Sequence, residues 1–384
     1  MLQSIRHFGL LLMLFNLLEP NFVTGNPSKD ERIQNNLSIR YKLVDLGECD
    51  VPENRLQRNS DAPTLAPIIN NAGQIIGNRS EGGFLRDPIL GEWVPYTHDV
   101  LINFHDLTNN GDLLVSLNRK SHPTEWMIWP STSGKNGPRQ PIQHDKYTNT
   151  QFVGLTNLRM AIGNAEVEGK LIPITWKSDN TTQPIEDPQN KNQPLYGHAK
   201  SINNSGQVVG FFKKDEQTTP PASWSQNSGV QFMKNFRTNV LPDANAELID
   251  LLIADDGTVY GTYQVRHKDS HKSDETYTYS WMPFEGGSFK LLDLDGMRIS
   301  NLNDWHTLVG KLDGEAMICE PGRKPSKLSQ AVRAQELNGW KLLEATSINN
   351  WGDIVGYGKY NGHTHAFLLQ KENSQAPYLT FHQR

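Results

Sequence analysis

The chain has 384 residues, 36% of them apolar and 21% charged, with 37 Lys and Arg against 42 Asp and Glu for a net charge of −5. That balance lacks the basic excess needed to neutralise a phosphate backbone, and no polybasic tail offsets it, so nucleic acid is not an expected partner. Nine Trp, 14 Phe and 11 Tyr beside 31 Gly and 22 Pro make a strand-and-turn composition in which aromatic residues supply the core.

At the N-terminus, Arg6 and His7 precede the apolar run FGLLLMLFNLL, which is too short to span a bilayer comfortably and is followed by the polar stretch NFVTGNPSKDER. This pattern reads as a secretory signal peptide. Val23 and Gly25 provide small residues at the −3 and −1 positions, so residues 1–25 are expected to be removed and residues 26–38 to form a linker. An uncleaved N-terminal anchor is the alternative reading; after cleavage no transmembrane segment is expected. Cys49 and Cys319 are the two cysteines of the chain. In an oxidising compartment they would pair only if the fold joins its ends; two buried thiols are the other reading.

From residue 68 onward one phrase recurs: IINNAGQIIG, DLTNNGDLLV, GLTNLRMAIG, SINNSGQVVG, LIADDGTVYG, NLNDWHTLVG and SINNWGDIVG, ending at positions 77, 115, 163, 210, 261, 310 and 356. The spacing, between 38 and 51 residues, is that of a propeller blade rather than of a helical solenoid. Each copy carries the chemistry of a tight hairpin. Asn70, Asn109, Asn157, Asn203, Asp255, Asn303 and Asn349 suit the bend because their side chains bond nearby amides. Gly73, Gly111, Gly206, Gly257 and Gly352 follow where a positive φ is expected, with Arg159 and His306 in their place in two copies. Those two turns are expected to differ in shape. Gly77, Gly163, Gly210, Gly261, Gly310 and Gly356 close the phrase, expected as strand-ending glycines near a crowded axis, with Val115 the exception.

A third strand follows in each unit and puts Trp129, Trp176, Trp224 and Trp281 in one column, opposite Arg86, Cys319 and Leu369 elsewhere; the column reads as packing between adjacent sheets. A fourth element is clearest at FKLLDLDG, and YKLVDLGE at 41–48 resembles it but precedes the first hairpin, while the last unit has none after HAFLLQKE. An N-terminal strand that completes the last sheet would remove the open edge, so residues 41–47 are expected there, packing through Leu43, Val44 and Leu46.

The repeated INNxGxVVG, with HAFL after the last copy and DLG between units, resembles the extracellular repeat family named for its His-Ala-Phe tripeptide and found in secreted bacterial proteins. The seventh unit matches best, through Ile348, Asn349, Asn350, Gly352, Val355 and Gly356 followed by His365, Ala366 and Phe367; the fourth is next, through Ile202, Asn203, Asn204 and Gly206. The likeness spans about residues 41–370, although the tripeptide itself survives once and becomes EAM and EWM in two other units. It implies export and a repeat fold, and it implies no reaction or ligand.

Outside the repeat, His363 and His365 place two imidazoles on one strand face, which would hold zinc if a third ligand joined them and are otherwise a strand-end residue and its solvated neighbour. The polar excursion KDSHKSDET at 268–276 is either a solvated loop or a binding loop. IADDGTVY partly matches the Asp-box turn of sialidase propellers but fails at its Ser and Thr positions. Asn36, Asn78, Asn180 and Asn203 stand in N-x-S/T sequons. No phosphate loop, nucleophile elbow or HExxH motif is present, and no cofactor is expected.

The reading is therefore an all-β, seven-bladed propeller of four-stranded antiparallel sheets over residues 39–372, closed by an N-terminal strand, with a tail at 373–384. Its expected role is an exported binding or scaffolding module at the cell envelope or outside the cell, with a protein or glycan as ligand. The alternative is a propeller glycan hydrolase or lyase with its site at the axial mouth, and a third is a module that self-associates.

Overall fold

A computed structural model describes residues 40–49, 66–94, 100–130, 139–142, 147–187, 194–214, 219–233, 246–265, 275–283, 287–374 and 376. The expected signal peptide, the linker, residues 268–274 of the polar excursion and nearly all of the tail lie outside them. Every described repeat is one four-stranded antiparallel sheet, seven sheets in all, with strands in chain order from innermost to outermost. Blade 1 begins with the innermost strand Ile68–Ile69, blade 2 with Val100–Leu107, blade 3 with Thr148–Leu155, blade 4 with Gly197–Ile202, blade 5 with Ala246–Ile253, blade 6 with Arg298–Leu302 and blade 7 with Trp340–Ile348. Blade 7 takes its outermost strand, Tyr41–Glu48, from the N-terminus, paired antiparallel with His363–Lys371. The expected closure is thus present, with Leu46 buried and Leu43 and Val44 partly so.

Burial follows strand position. Second strands are apolar and covered on both faces, as Leu113–Arg119 shows, while outer strands such as Ser288–Leu292 are largely exposed. The core consists of seven clusters, each assembled from two neighbouring blades. Ile76 of blade 1 joins Phe104 and Leu117 of blade 2, and the series runs round to Leu46, Val355 and Ala366 of blade 7 against Ile69 and Ile75 of blade 1. Among the described residues no blade buries its apolar faces alone, so the ring is the unit of stability.

The aromatic column holds its expected register: Trp129, Trp176, Trp224 and Trp281 oppose Leu113, Ala161, Val208 and Val259, and Arg86, Cys319 and Leu369 occupy the same site in the other blades. Three of the indoles are buried; Trp224 is half-buried and donates its Nε1–H to the Glu186 carbonyl at 2.8 Å. The phrase-closing glycines differ from expectation. They lie inside the second strand, and what they accommodate is the neighbouring strand of the same blade rather than the axis. A Cβ at Gly310 would sit 1.9 Å from the Arg298 carbonyl oxygen, where the innermost strand bulges. Cys49 and Cys319 are not joined: the first packs with Leu46 and Ile75, the second with Met297 and Met317. Two sequon asparagines are structural, because Asn78 and Asn203 are buried with their amides bonded to the next blade.

Candidate functional site

The repeated turns gather at one end of the strands. In each, the fourth residue donates its N–H to the carbonyl of the first, at 3.0 Å from Gly73 to Asn70 and 2.9 Å from both Arg159 to Thr156 and His306 to Asn303. Arg159 and His306 adopt φ of 58° and 57°, so these two turns keep the common shape, contrary to the sequence expectation. Left-handed geometry costs a side-chain-bearing residue roughly 1–2 kcal/mol. Both residues reach back to the preceding blade in return. Arg159 grips Asp112 through Nε and Nη2 at 2.8 and 3.2 Å, and His306 meets Asp256 at 3.1 Å and the Tyr260 hydroxyl at 2.9 Å.

The first turn residue caps its own turn and reaches forward. Asn349 Oδ1 accepts the amides of Trp351 and Asp353, and its Nδ2 donates to the Asn70 carbonyl of the next blade at 3.2 Å. Asn70, Asn203 and Asn303 repeat this arrangement. Thr108 and Thr156 keep the local cap onto Asp112 and Met160, and a hydroxyl is too short for the forward bond. The second residues form a chain around the axis: the amides of Asn71, Asn109, Asn157, Asn204, Asp304 and Asn350 each donate to the side-chain oxygen of the next blade's counterpart. The asparagines and aspartates singled out by the repeat are therefore ring fasteners. Asp255 belongs to the same scheme, accepting from Asn204, while Asp256 accepts from Thr258 within its own turn and meets His306 of the next blade.

The HxH pair is likewise engaged in closure. His365 Nδ1 lies 2.9 Å from Asp45 and His363 Nδ1 3.6 Å from Glu48, both on the N-terminal strand. Among the described residues no three His, Cys, Asp or Glu side chains gather at a metal-binding distance.

At the opposite end of the strands, between blades 5 and 6, lies a cleft of about 790 Å³. The connection carrying Asp293 and Asp295, the hairpin turn carrying Asp313 and the third strand of blade 5, which starts at Glu275, bring four carboxylates to its walls. Arg298, 9% exposed, and Lys311 face the same space from directly opposed positions on blade 6. Like charges opposed across a strand pair are unfavourable. Here the Lys311 charge is met by the buried Glu344 of blade 7 at 2.9 Å, whose carboxylate also accepts from Ser300 and Tyr357, each at 2.8 Å. Tyr277 lines the cleft, hydrogen-bonds Glu275 and stacks on Tyr263 with centroids 5.2 Å apart. The Glu275 carboxylate and burial raise the Tyr277 phenol, and burial pushes Tyr263 up to about 12. Both phenols stay protonated near neutrality. Leu291, Leu292, Leu294 and Leu312 give the cleft apolar surface. This combination is suited to hydrogen-bonding and stacking a polar ligand.

No family model matches the chain, and no curated protein matches it. Three solved structures are similar in outline. A chain in the crystal structure of the mitotic checkpoint complex is 11% identical, with 92% of this chain and 98% of that one covered at a TM-score of 0.46. The polysaccharide lyase Uly1 is 8% identical over 86% and 97%, at 0.45. A Penicillium chrysogenum alpha-L-arabinanase complexed with arabinobiose is 10% identical over 69% and 91%, at 0.37. Similarities at this level bear on neither substrate nor partner.

The cleft residues do not repeat, which is why a search for periodicity passes over them. One signal was present: aligning the blades puts a polar residue just ahead of the one that faces the phrase-closing glycine, including Gln151, His198, Asp250, Arg298 and Glu344, and in blade 6 that residue faces a second cation. A broken pairing rule of this kind marks a position under another constraint.

Proposed function

We propose that the protein is an exported binding module, akin to the His-Ala-Phe repeat proteins, that holds an uncharged, hydroxyl-rich glycan segment in the cleft between blades 5 and 6. The carrying observation is the lining of that cleft, where Arg298, Lys311 and Tyr277 border the same space as Glu275, Asp293, Asp295 and Asp313. Sugar hydroxyls both donate and accept, and sugar ring faces are apolar, so such a ligand satisfies charged acceptors, donors and leucines together. A polyanion would face the carboxylates of Glu275 and Asp313 and those of Asp293 and Asp295, which Lys324 already engages, so the walls carry more acidic than basic groups. Export rests on the N-terminal sequence, and residence at the envelope or outside the cell follows from it.

The test is retention of the mature chain on a glycan array, followed by calorimetry with the glycan retained. Asp313→Asn and Tyr277→Phe should each weaken binding about tenfold, equivalent to about 1.4 kcal/mol, with unchanged melting temperature. Retention of no glycan, or affinities indifferent to both changes, overturns the reading. Chromatography of the incubated glycan separates binding from the hydrolase or lyase alternative, since a binding module leaves the chain length unaltered.

A further inference from the structure

The third residue of each repeated turn enters the turn chiefly through its backbone amide, which the capping side chain of Asn70, Asn203, Asn303 or Asn349 accepts, and its side chain varies from blade to blade. It is Ala72, Asn110, Leu158, Ser205 and Asp256 in blades 1 to 5, then Trp305 and Trp351 in blades 6 and 7. Turn geometry is served equally by alanine and serine, so it does not account for the two tryptophans. Trp305 is 69% exposed, an unusual position for so large an apolar side chain. It is nonetheless held: its Nε1–H donates to the Asn350 carbonyl of the next blade at 3.2 Å. Trp351 repeats the arrangement one blade further on, donating to the Asn71 carbonyl at 2.9 Å. Both indoles are thus fixed by one edge to a neighbouring turn.

Beside Trp305, between blades 6 and 7, is a hollow of about 170 Å³. Asn303, Asn350, Thr307, Glu320 and Lys371 supply its polar lining. It is smaller than the roughly 300–1,000 Å³ typical of pockets that enclose a whole drug-sized ligand, so it suits one ring-sized group. An aromatic face pinned in place, with its ordering cost already met, next to amide and charged groups, is the chemistry that stacks the C–H face of a sugar ring while bonding its hydroxyls.

We propose that Trp305 and Trp351 form a second carbohydrate site, taking adjacent rings of one neutral glycan chain on the turn face of the propeller. The site shares no residue with the cleft between blades 5 and 6 and lies at the other end of the strands, so the glycan reading is extended from one face to both. A protein with two such faces bridges glycan chains.

The experiment titrates the mature chain with cellohexaose, mannohexaose and N-acetylglucosamine hexamer while following tryptophan fluorescence. The expected result is a saturable change with at least one probe that is lost in Trp305→Ala, weakened at least fivefold in Trp351→Ala and retained in Asp313→Asn. Circular dichroism and melting of Trp305→Ala should match the parent, and Trp305→Phe should restore part of the binding, which a purely structural role would not require. No response to any probe at millimolar concentration, or a response that Trp305→Ala leaves intact, overturns the proposal. So does a concentration-dependent dimer abolished by Trp305→Ala, which would make a second copy of the chain the occupant. If the cleft reading alone is wrong, Asp313→Asn leaves the calorimetric affinity for the array-retained glycan unchanged while the loss of the fluorescence response in Trp305→Ala remains.

Discussion

At the scale of single residues, the repeat separates positions fixed by space from positions fixed by conformation. Gly310 faces a carbonyl oxygen 1.9 Å from where a Cβ would stand, whereas Gly314 has φ of 72° and open space around it. Gly310→Ala should therefore destabilise by about 1–3 kcal/mol through forced movement of the bulge, and Gly314→Ala by about 1 kcal/mol; urea midpoints at constant m rank the two. Blade 2 carries a pair of opposed titrations. His105 is buried with Nε2 on Ser116 at 2.7 Å, and burial lowers its pKa to about 3, so the stability gained from its neutral form is intact above pH 6.5 and lost as pH falls toward 3. Next to it, desolvation raises Asp106 to about 6 despite the amides of Leu155 and Leu107 that bond its carboxylate. Its contribution is the reverse: fully present below pH 3.8 and lost as pH rises through 6. Between about pH 4 and 6 the two slopes oppose. Asp106→Asn should remove one of them, so that its stability relative to the parent falls on acidification across that window, by at most about 1.4 kcal/mol per pH unit. A difference that stays flat or rises rejects the assignment.

At the scale of elements, the turn is both a hairpin and a rivet. Asn349 caps its own turn through Oδ1 and fastens the next blade through Nδ2, while the threonines at Thr108 and Thr156 do only the first. Asn349→Thr should consequently cost about 1 kcal/mol and Asn349→Ala about 2–3 kcal/mol, measured by thermal or urea unfolding; equal losses would mean that the forward bond contributes all the energy. The hairpins, their register and the tryptophan column were legible in the sequence because strand pairing and turn chemistry are local and the repeat samples them seven times. The inter-blade ring was not, since a local explanation already accounted for every asparagine and nothing in one repeat reveals a partner 38 or more residues away. Arg159 and His306 show the same limit. Their departure from glycine is visible in the sequence, yet the compensating Asp112 and Asp256 belong to other blades. Arg298, Tyr277 and Trp305 are harder still, because their significance arises from positions where the repeat is silent.

At the scale of the whole molecule, seven inter-blade clusters with no blade self-sufficient make ring closure decisive, and one strand performs it. Tyr41–Glu48 pairs along His363–Lys371, places Tyr41 in the core at 1% exposure and sets Asp45 against His365. Its neighbours brace it: the Leu43 amide donates to Glu336 at 2.8 Å, the Glu372 amide to the Arg40 carbonyl at 2.8 Å and the Cys49 amide to the Thr364 carbonyl at 3.1 Å. Without this strand, His363–Lys371 would present a nine-residue edge with its backbone groups unpaired, and the junction between blades 7 and 1 would lose Leu46 and Cys49 from its cluster. An open edge of that length is a template for another chain. A chain beginning after Cys49 should therefore associate in a concentration-dependent way in analytical ultracentrifugation and melt well below the parent. A synthetic peptide covering residues 40–49 should reverse both effects, because it supplies the missing hydrogen-bonding edge and the missing apolar contacts together. A truncated chain that stays monomeric with an unchanged melting temperature would show that the other six junctions hold the ring by themselves, and that the N-terminal strand covers an edge without closing the fold.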